Sequence, residues 1–100
     1  MPTASQLNKL ASKIALFDDA FAYKELFRLY HSRLVQFAST ISKSREAADE
    51  IVSDVFIKIW KNRHSLQRIE NLHLYLYIST KNQAINLAGR SFLSTILLWE

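Results

Sequence analysis

Residues 75–90 hold Tyr75, Tyr77, Lys81, Asn82, Gln83, Asn86 and Arg90 within about four helical turns, a mixture of rings, amides and bases. Aromatic rings can stack on unpaired bases, amides can hydrogen-bond to base edges, and Lys or Arg can hold phosphates. Together they describe a surface for single-stranded nucleic acid. Tyr75 and Asn82 are seven residues apart and share one helix face, while Tyr77 and Lys81, four apart, lie on a neighbouring line. Half-buried core tyrosines with hydroxyls at the rim would leave the same pattern. A second group, Asp49, Glu50, Ser53 and Asp54, makes an acidic ridge, because residues three to five apart lie along one side of a helix. The ridge also reads as a solvated face, in which Asp54 and Lys58 form an i,i+4 pair contributing ~0.3–0.5 kcal/mol.

Other chemistries lack their parts. The 100-residue chain has no cysteine, which excludes a disulfide framework and a thiolate zinc site. His31, His64 and His73 stand at unrelated spacings, without a ligand pattern for a metal. There is no nucleophile–base arrangement, Gly-rich phosphate loop or pair of catalytic carboxylates, so neither an enzyme nor a cofactor is expected.

The elements that position these groups follow from composition and capping. A hydrophobic content of 49% over 100 residues suffices for one core. Gly89 and Pro2 are the sole residues of their kinds, too few turn formers for a β-rich fold, so the domain is expected to be all-α. A first helix is predicted over residues 5–16, with Leu7, Leu10, Ala11 and Ile14 on its inner face. Asp18 and Asp19 supply an N-cap for a second helix reaching residue 41, whose stripe is Phe21, Leu26, Phe27, Tyr30, Leu34, Phe37, Ala38 and Ile41. Ser44 caps a third helix with apolar residues in adjacent pairs every four positions, from 47 and 48 to 59 and 60. Residues 62–70 read as a polar connection. Asn71 then caps a fourth helix from 72 to about 88, stopped by Gly89.

The net charge of +4 is unevenly spread. Residues 1–55 carry seven bases and seven acids, so the whole excess lies in residues 56–100, where a polyanion would be met. The N-terminus lacks the basic patch and apolar run of a secretory signal, and no stretch approaches the roughly 20 apolar residues of a membrane span. A cytoplasmic protein is expected.

The order of segments resembles the second conserved region of extracytoplasmic-function (ECF) sigma factors, of the sigma-70 superfamily. The resemblance is carried by Asp19-Ala20-Phe21, by residues 26–34 (LFRLYHSRL), by residues 48–60 (ADEIVSDVFIKIW), and by Tyr75-Leu76-Tyr77 followed by Lys81-Asn82. It covers residues 5–90, with 91–100 an atypical or truncated end. Residues 1–100 are therefore expected to form one region 2-like domain, a compact four-helix fold with a three-helix bundle and a DNA-facing fourth helix. The second sigma domain, region 4, is expected to be absent.

The resemblance implies the partners. Residues matching Asp49, Glu50, Ile51, Val52, Ser53, Asp54, Phe56 and Trp60 dock in that family on the clamp helices of the largest subunit of core RNA polymerase. Here the acids would face basic clamp residues, while Ile51, Val52 and Phe56 divide between contact and core. Residues matching Tyr75, Tyr77, Lys81, Asn82, Asn86 and Arg90 would bind and open the promoter −10 element, gripping its non-template strand. Tyr75 would support unstacked DNA, Asn82 would shape a base pocket, and Lys81 and Arg90 would contact phosphates. An anti-sigma factor is a further possible partner. The alternatives are a helical protein-interaction module that docks on polymerase without melting DNA, and a helix-turn-helix regulator reading duplex DNA.

Overall fold

The computed structural model describes the backbone of residues 2–98 and the side chains of residues 2–87. Thr3 opens α1 (Ala4–Phe17) with a capping box: its hydroxyl accepts from the Gln6 N–H, and the Gln6 side chain accepts from the Thr3 N–H. α1 buries Leu7, Ala11, Ile14 and Ala15. Asp18, in a left-handed conformation (φ 52°), ends it, a geometry that Asp tolerates better than most residues.

Asp19 caps α2 (Ala20–Ser42) by accepting from the backbone of Phe21 and Ala22. Its inner line is Ala22, Leu26, Tyr30, Leu34 and Ala38, joined by Val35. Two aromatics expected in this stripe fall outside it, Phe21 at 83% exposed and Phe27 at 37%. The four-residue spacing that brings Leu26, Tyr30 and Leu34 inward selects Ala22 as the upstream member, and Phe21, five before Leu26, is rotated out.

Ser44 caps α3 (Arg45–Lys61) through the Ala47 N–H, with Glu46 in the first turn and Lys58 and Lys61 in the last, as the helix dipole favours. Ala48, Ile51, Val52, Val55, Phe56 and Ile59 are buried, following the paired spacing. The expected polar connection is not irregular: Arg63–Arg68 form a short 3₁₀ helix that packs on α1. It buries Leu66, and the His64 Nδ1–H donates to the Ala15 carbonyl at 2.8 Å.

Asn71 caps α4 (Leu72–Leu98) through the Leu74 N–H at 3.0 Å. Gly89 does not stop this helix. It lacks the positive φ of a C-cap, and an internal glycine costs roughly 1 kcal/mol relative to alanine, too little by itself to end a helix. Leu72, Leu76, Thr80, Gln83 and Ala84 face inward, the Thr80 hydroxyl being satisfied by the Leu76 carbonyl at 2.8 Å.

The fold is all-α and four-helical, with no strand among the described residues. α4 packs on α2 and α3 and also touches α1, so it completes the core while presenting its other side outward. Side-chain contacts tie α2 to α4: the Tyr30 hydroxyl lies 2.7 Å from His73 Nδ1, and the Phe37 and Tyr77 rings meet edge-on at 5.1 Å. These contacts set where the polar side of α4 stands relative to α3.

Candidate nucleic-acid cleft and acidic helix face

The ridge residues of α3 do not lie on one line. Glu50 and Ser53 are exposed on the outer face. Asp49 sits on the flank toward α2, its Oδ1 3.8 Å from His31 Nε2. Asp54, half-buried, turns toward α4, where Gln83 Nε2 donates to its Oδ2 at 3.4 Å. Ile51, Val52 and Phe56, 0%, 0% and 2% exposed, belong to the core, so they offer no contact surface and serve to position the acids. The Tyr23 hydroxyl helps fix this segment by donating to the Phe56 carbonyl at 2.6 Å.

Trp60 is half-buried at the far end of α3, its ring 4.9 Å from that of Tyr23 and 4.5 Å beneath the Arg63 guanidinium. Arg63 also donates to Asp18 Oδ1 at 2.6 Å and to the Trp60 carbonyl at 2.9 Å. The hydrogen bond from Arg63 holds the Asp18 carboxyl below its ordinary range. Ile57, 50% exposed, stands between the acids and the last turn, giving the face an apolar centre that sequence reasoning did not single out. Its signal was available: positions 53, 57 and 61 fall outside the paired repeat that marks the core.

On α4, Tyr75, Asn82 and Asn86 share a side, and they line a cleft of about 240 Å³ with Lys58 of α3 and Asn62, which caps that helix. Val55 and Ile59 contribute its apolar wall. With Gln83 also in its lining, the cleft combines a ring, four amides, an ammonium and an apolar surface, chemistry that suits an unpaired base with its phosphate. Asn62 is also shared with a second depression, lined by Lys61, His64 and Arg68 around the 3₁₀ helix, which extends the basic surface away from the cleft.

The other predicted nucleic-acid residues lie elsewhere. Tyr77 is on the α2 side, between Phe37 and the His73 ring at 5.0 Å. Lys81 is exposed on the outward line of α4, among Leu74, Ile78 and Ile85, which are themselves about half exposed. The Arg90 side chain lies outside the described residues.

Lys58 and Asn62 were not in the sequence-based set, since nothing local indicates which flank of α3 receives α4. The i,i+4 reading of Asp54 and Lys58 changes too. No ion pair within 4.0 Å joins them among the described residues; instead Lys58 Nζ donates to Gln83 Oε1 at 2.7 Å, and the same amide donates to Asp54. No cluster of three metal-ligating side chains occurs among the described residues, and no helix there is long and apolar enough to cross a membrane.

The profile of the family described as Sigma-70 region 2 matches residues 26–91, more than half of the chain. No curated protein and no solved structure matches it significantly.

Proposed function

The chain belongs to the sigma-70 region 2 family, and from that premise we propose that it docks on core RNA polymerase through α3 and holds the unpaired −10 strand in the α3–α4 cleft. Membership makes it a sigma-factor region, of the kind concerned with core polymerase and the promoter −10 element. The residue assignments, the ECF branch and strand opening itself are our reading.

One observation carries the nucleic-acid half: Tyr75, Asn82 and Asn86 converge with Lys58 and Asn62 on a single cleft. The mechanism is capture rather than catalysis. A base that leaves the stack gains a ring to stack on and amides to bond, and its duplex partner gains neither, so the open form is favoured by differential binding. Polymerase supplies the remaining phosphate contacts, since the cleft offers few cations of its own. For docking, Glu50 and Ser53 flank Ile57 on a face that suits a partner with basic residues around an apolar contact.

A protein-interaction module that docks without melting DNA is the second reading, favoured by the exposed line Leu74, Ile78 and Ile85 on α4. It predicts co-purification with polymerase and no preference for single strands. The helix-turn-helix alternative loses support, because α4 is a 27-residue helix built into the core rather than a short recognition helix after a tight turn. Binding of a −10 non-template strand and of the corresponding duplex, compared at one salt concentration, separates the readings: the proposal requires the single strand to bind more tightly.

A further inference from the structure

Gln83 is a neutral side chain on α4 with 8% exposure, yet it bridges two charges of α3. An amide has two unlike ends, one that only donates and one that only accepts. The Asp54 carboxylate only accepts and the Lys58 ammonium only donates, so one orientation of the amide satisfies both, with Nε2 toward Asp54 and Oε1 toward Lys58. The consequence falls on Lys58. Its long, rotamer-rich side chain would otherwise sample many positions; the 2.7 Å bond to a buried amide confines the ammonium to the α3–α4 seam, beside Tyr75, Asn82 and Asn86.

We propose that Gln83, its amide oriented by Asp54, is a positioning residue that holds the Lys58 ammonium at the cleft mouth as a phosphate contact for an unpaired strand. This rests on the reading of the cleft as a nucleic-acid site. It adds Lys58 to the contacts, and it gives Asp54 a role in strand binding that is opposite in sign to its charge. Removing a carboxylate near a polyanion site ordinarily strengthens binding. Removing Asp54 instead frees the amide to turn, and Lys58 loses its place.

The test is a salt titration of the full chain with a fluorescent A/T-rich single strand, comparing wild type with Gln83→Met, Asp54→Leu, which removes the acceptor as well as the charge, Lys58→Met and the double variant Asp54→Leu/Gln83→Met. Glu50→Gln serves as the charge control on the same helix. Gln83→Met keeps length and packing but removes both hydrogen bonds. One phosphate contact corresponds to about 0.7 in the slope of log K against log salt for single strands, or roughly five- to ten-fold in affinity at low salt.

Glu50→Gln is expected to strengthen binding slightly. Gln83→Met, Asp54→Leu and Lys58→Met should each lose about 0.7 of slope, and the double variant should lose no more than either single. A purely structural role would lower the melting temperature without lowering the slope. Should Gln83→Met fold poorly, Asp54→Leu and Lys58→Met still decide the matter. Strengthened binding by Asp54→Leu to the degree seen with Glu50→Gln, or an unchanged slope in Gln83→Met, overturns the positioning role while leaving the cleft intact. A wild-type chain with no preference for single strand over duplex overturns the cleft reading and this role with it.

Discussion

Tyr30→Phe removes one hydroxyl from the centre of the α2–α4 contact and leaves the ring volume unchanged. Tyr30 is fully buried, its hydroxyl 2.7 Å from His73 Nδ1 and its ring 5.5 Å from the imidazole. Phe can refill the ring site, so no cavity is expected, and the loss is that of the hydrogen bond. A neutral bond of this kind contributes ~1 kcal/mol net, and His73, half-buried, can recover part of it from water, so the change stays near that figure. For a domain of this size ~1 kcal/mol lowers the melting temperature by about 4–8 °C. Urea unfolding of wild type, Tyr30→Phe, His73→Ala and the double variant isolates the pair, with an expected coupling of ~1 kcal/mol. Coupling below about 0.3 kcal/mol would refute the claim that this bond fastens α4 to α2. A pH arm has a defined sign. Burial raises the Tyr30 pKa above the ordinary 10.0, so the folded state keeps its proton where the unfolded chain ionises. Its stability is intact below 10.0 and falls as pH rises through the folded value, and Tyr30→Phe should flatten that alkaline loss.

Three further outcomes are expected. Glu50→Lys combined with Ile57→Asp should abolish co-purification with core polymerase while circular dichroism shows unchanged helicity; undiminished co-purification would remove α3 as the docking face. Tyr75→Ala should weaken single-strand binding by roughly 5- to 150-fold, the ~1–3 kcal/mol of one stacked base, with polymerase affinity retained, whereas normal strand affinity would exclude Tyr75 from the site. Asp18→Asn should lower the melting temperature at neutral pH, because the Arg63 bond depresses the folded carboxyl pKa and so stabilises the fold above the ordinary 3.8. The difference from wild type should vanish as pH falls through the depressed folded value, and a difference that persists there would show that the Arg63–Asp18 pair is not its source.

The helices were legible because each start carries a side-chain cap whose signature is local: Asp19, Ser44 and Asn71 occupy the cap positions that their residue types suggest. The paired repeat of α3 likewise identified its core residues, since periodicity reports one buried face. What could not be read was relative placement. Leu66 and Ile69 are the two apolar residues of a polar segment, too few to mark a period, yet the contact with α1 buries Leu66. Gly89 has the residue type of a helix stop, but residue type alone does not end α4, which continues through it. In the proposed cleft, Tyr75 and Asn82 could be grouped from the sequence because they are seven residues apart on one helix face, and Asn86 lines the cleft beside them. Lys58 and Asn62 join them only through the packing of α3 on α4, and the same packing buries Gln83 of the α4 polar group against Lys58. Tyr77 illustrates the converse, for its ring belongs to the α2 contact, and type alone did not separate it from Tyr75.

Selection of unpaired DNA by the α3–α4 cleft, as proposed, can be measured directly. The most direct measurement is the ratio of affinities of the polymerase-bound chain for a −10 non-template single strand and for the duplex of the same sequence, at one fixed salt concentration. The account predicts a ratio well above one that falls toward one in Asn82→Ala. Equal affinity for strand and duplex in the wild-type chain would contradict it.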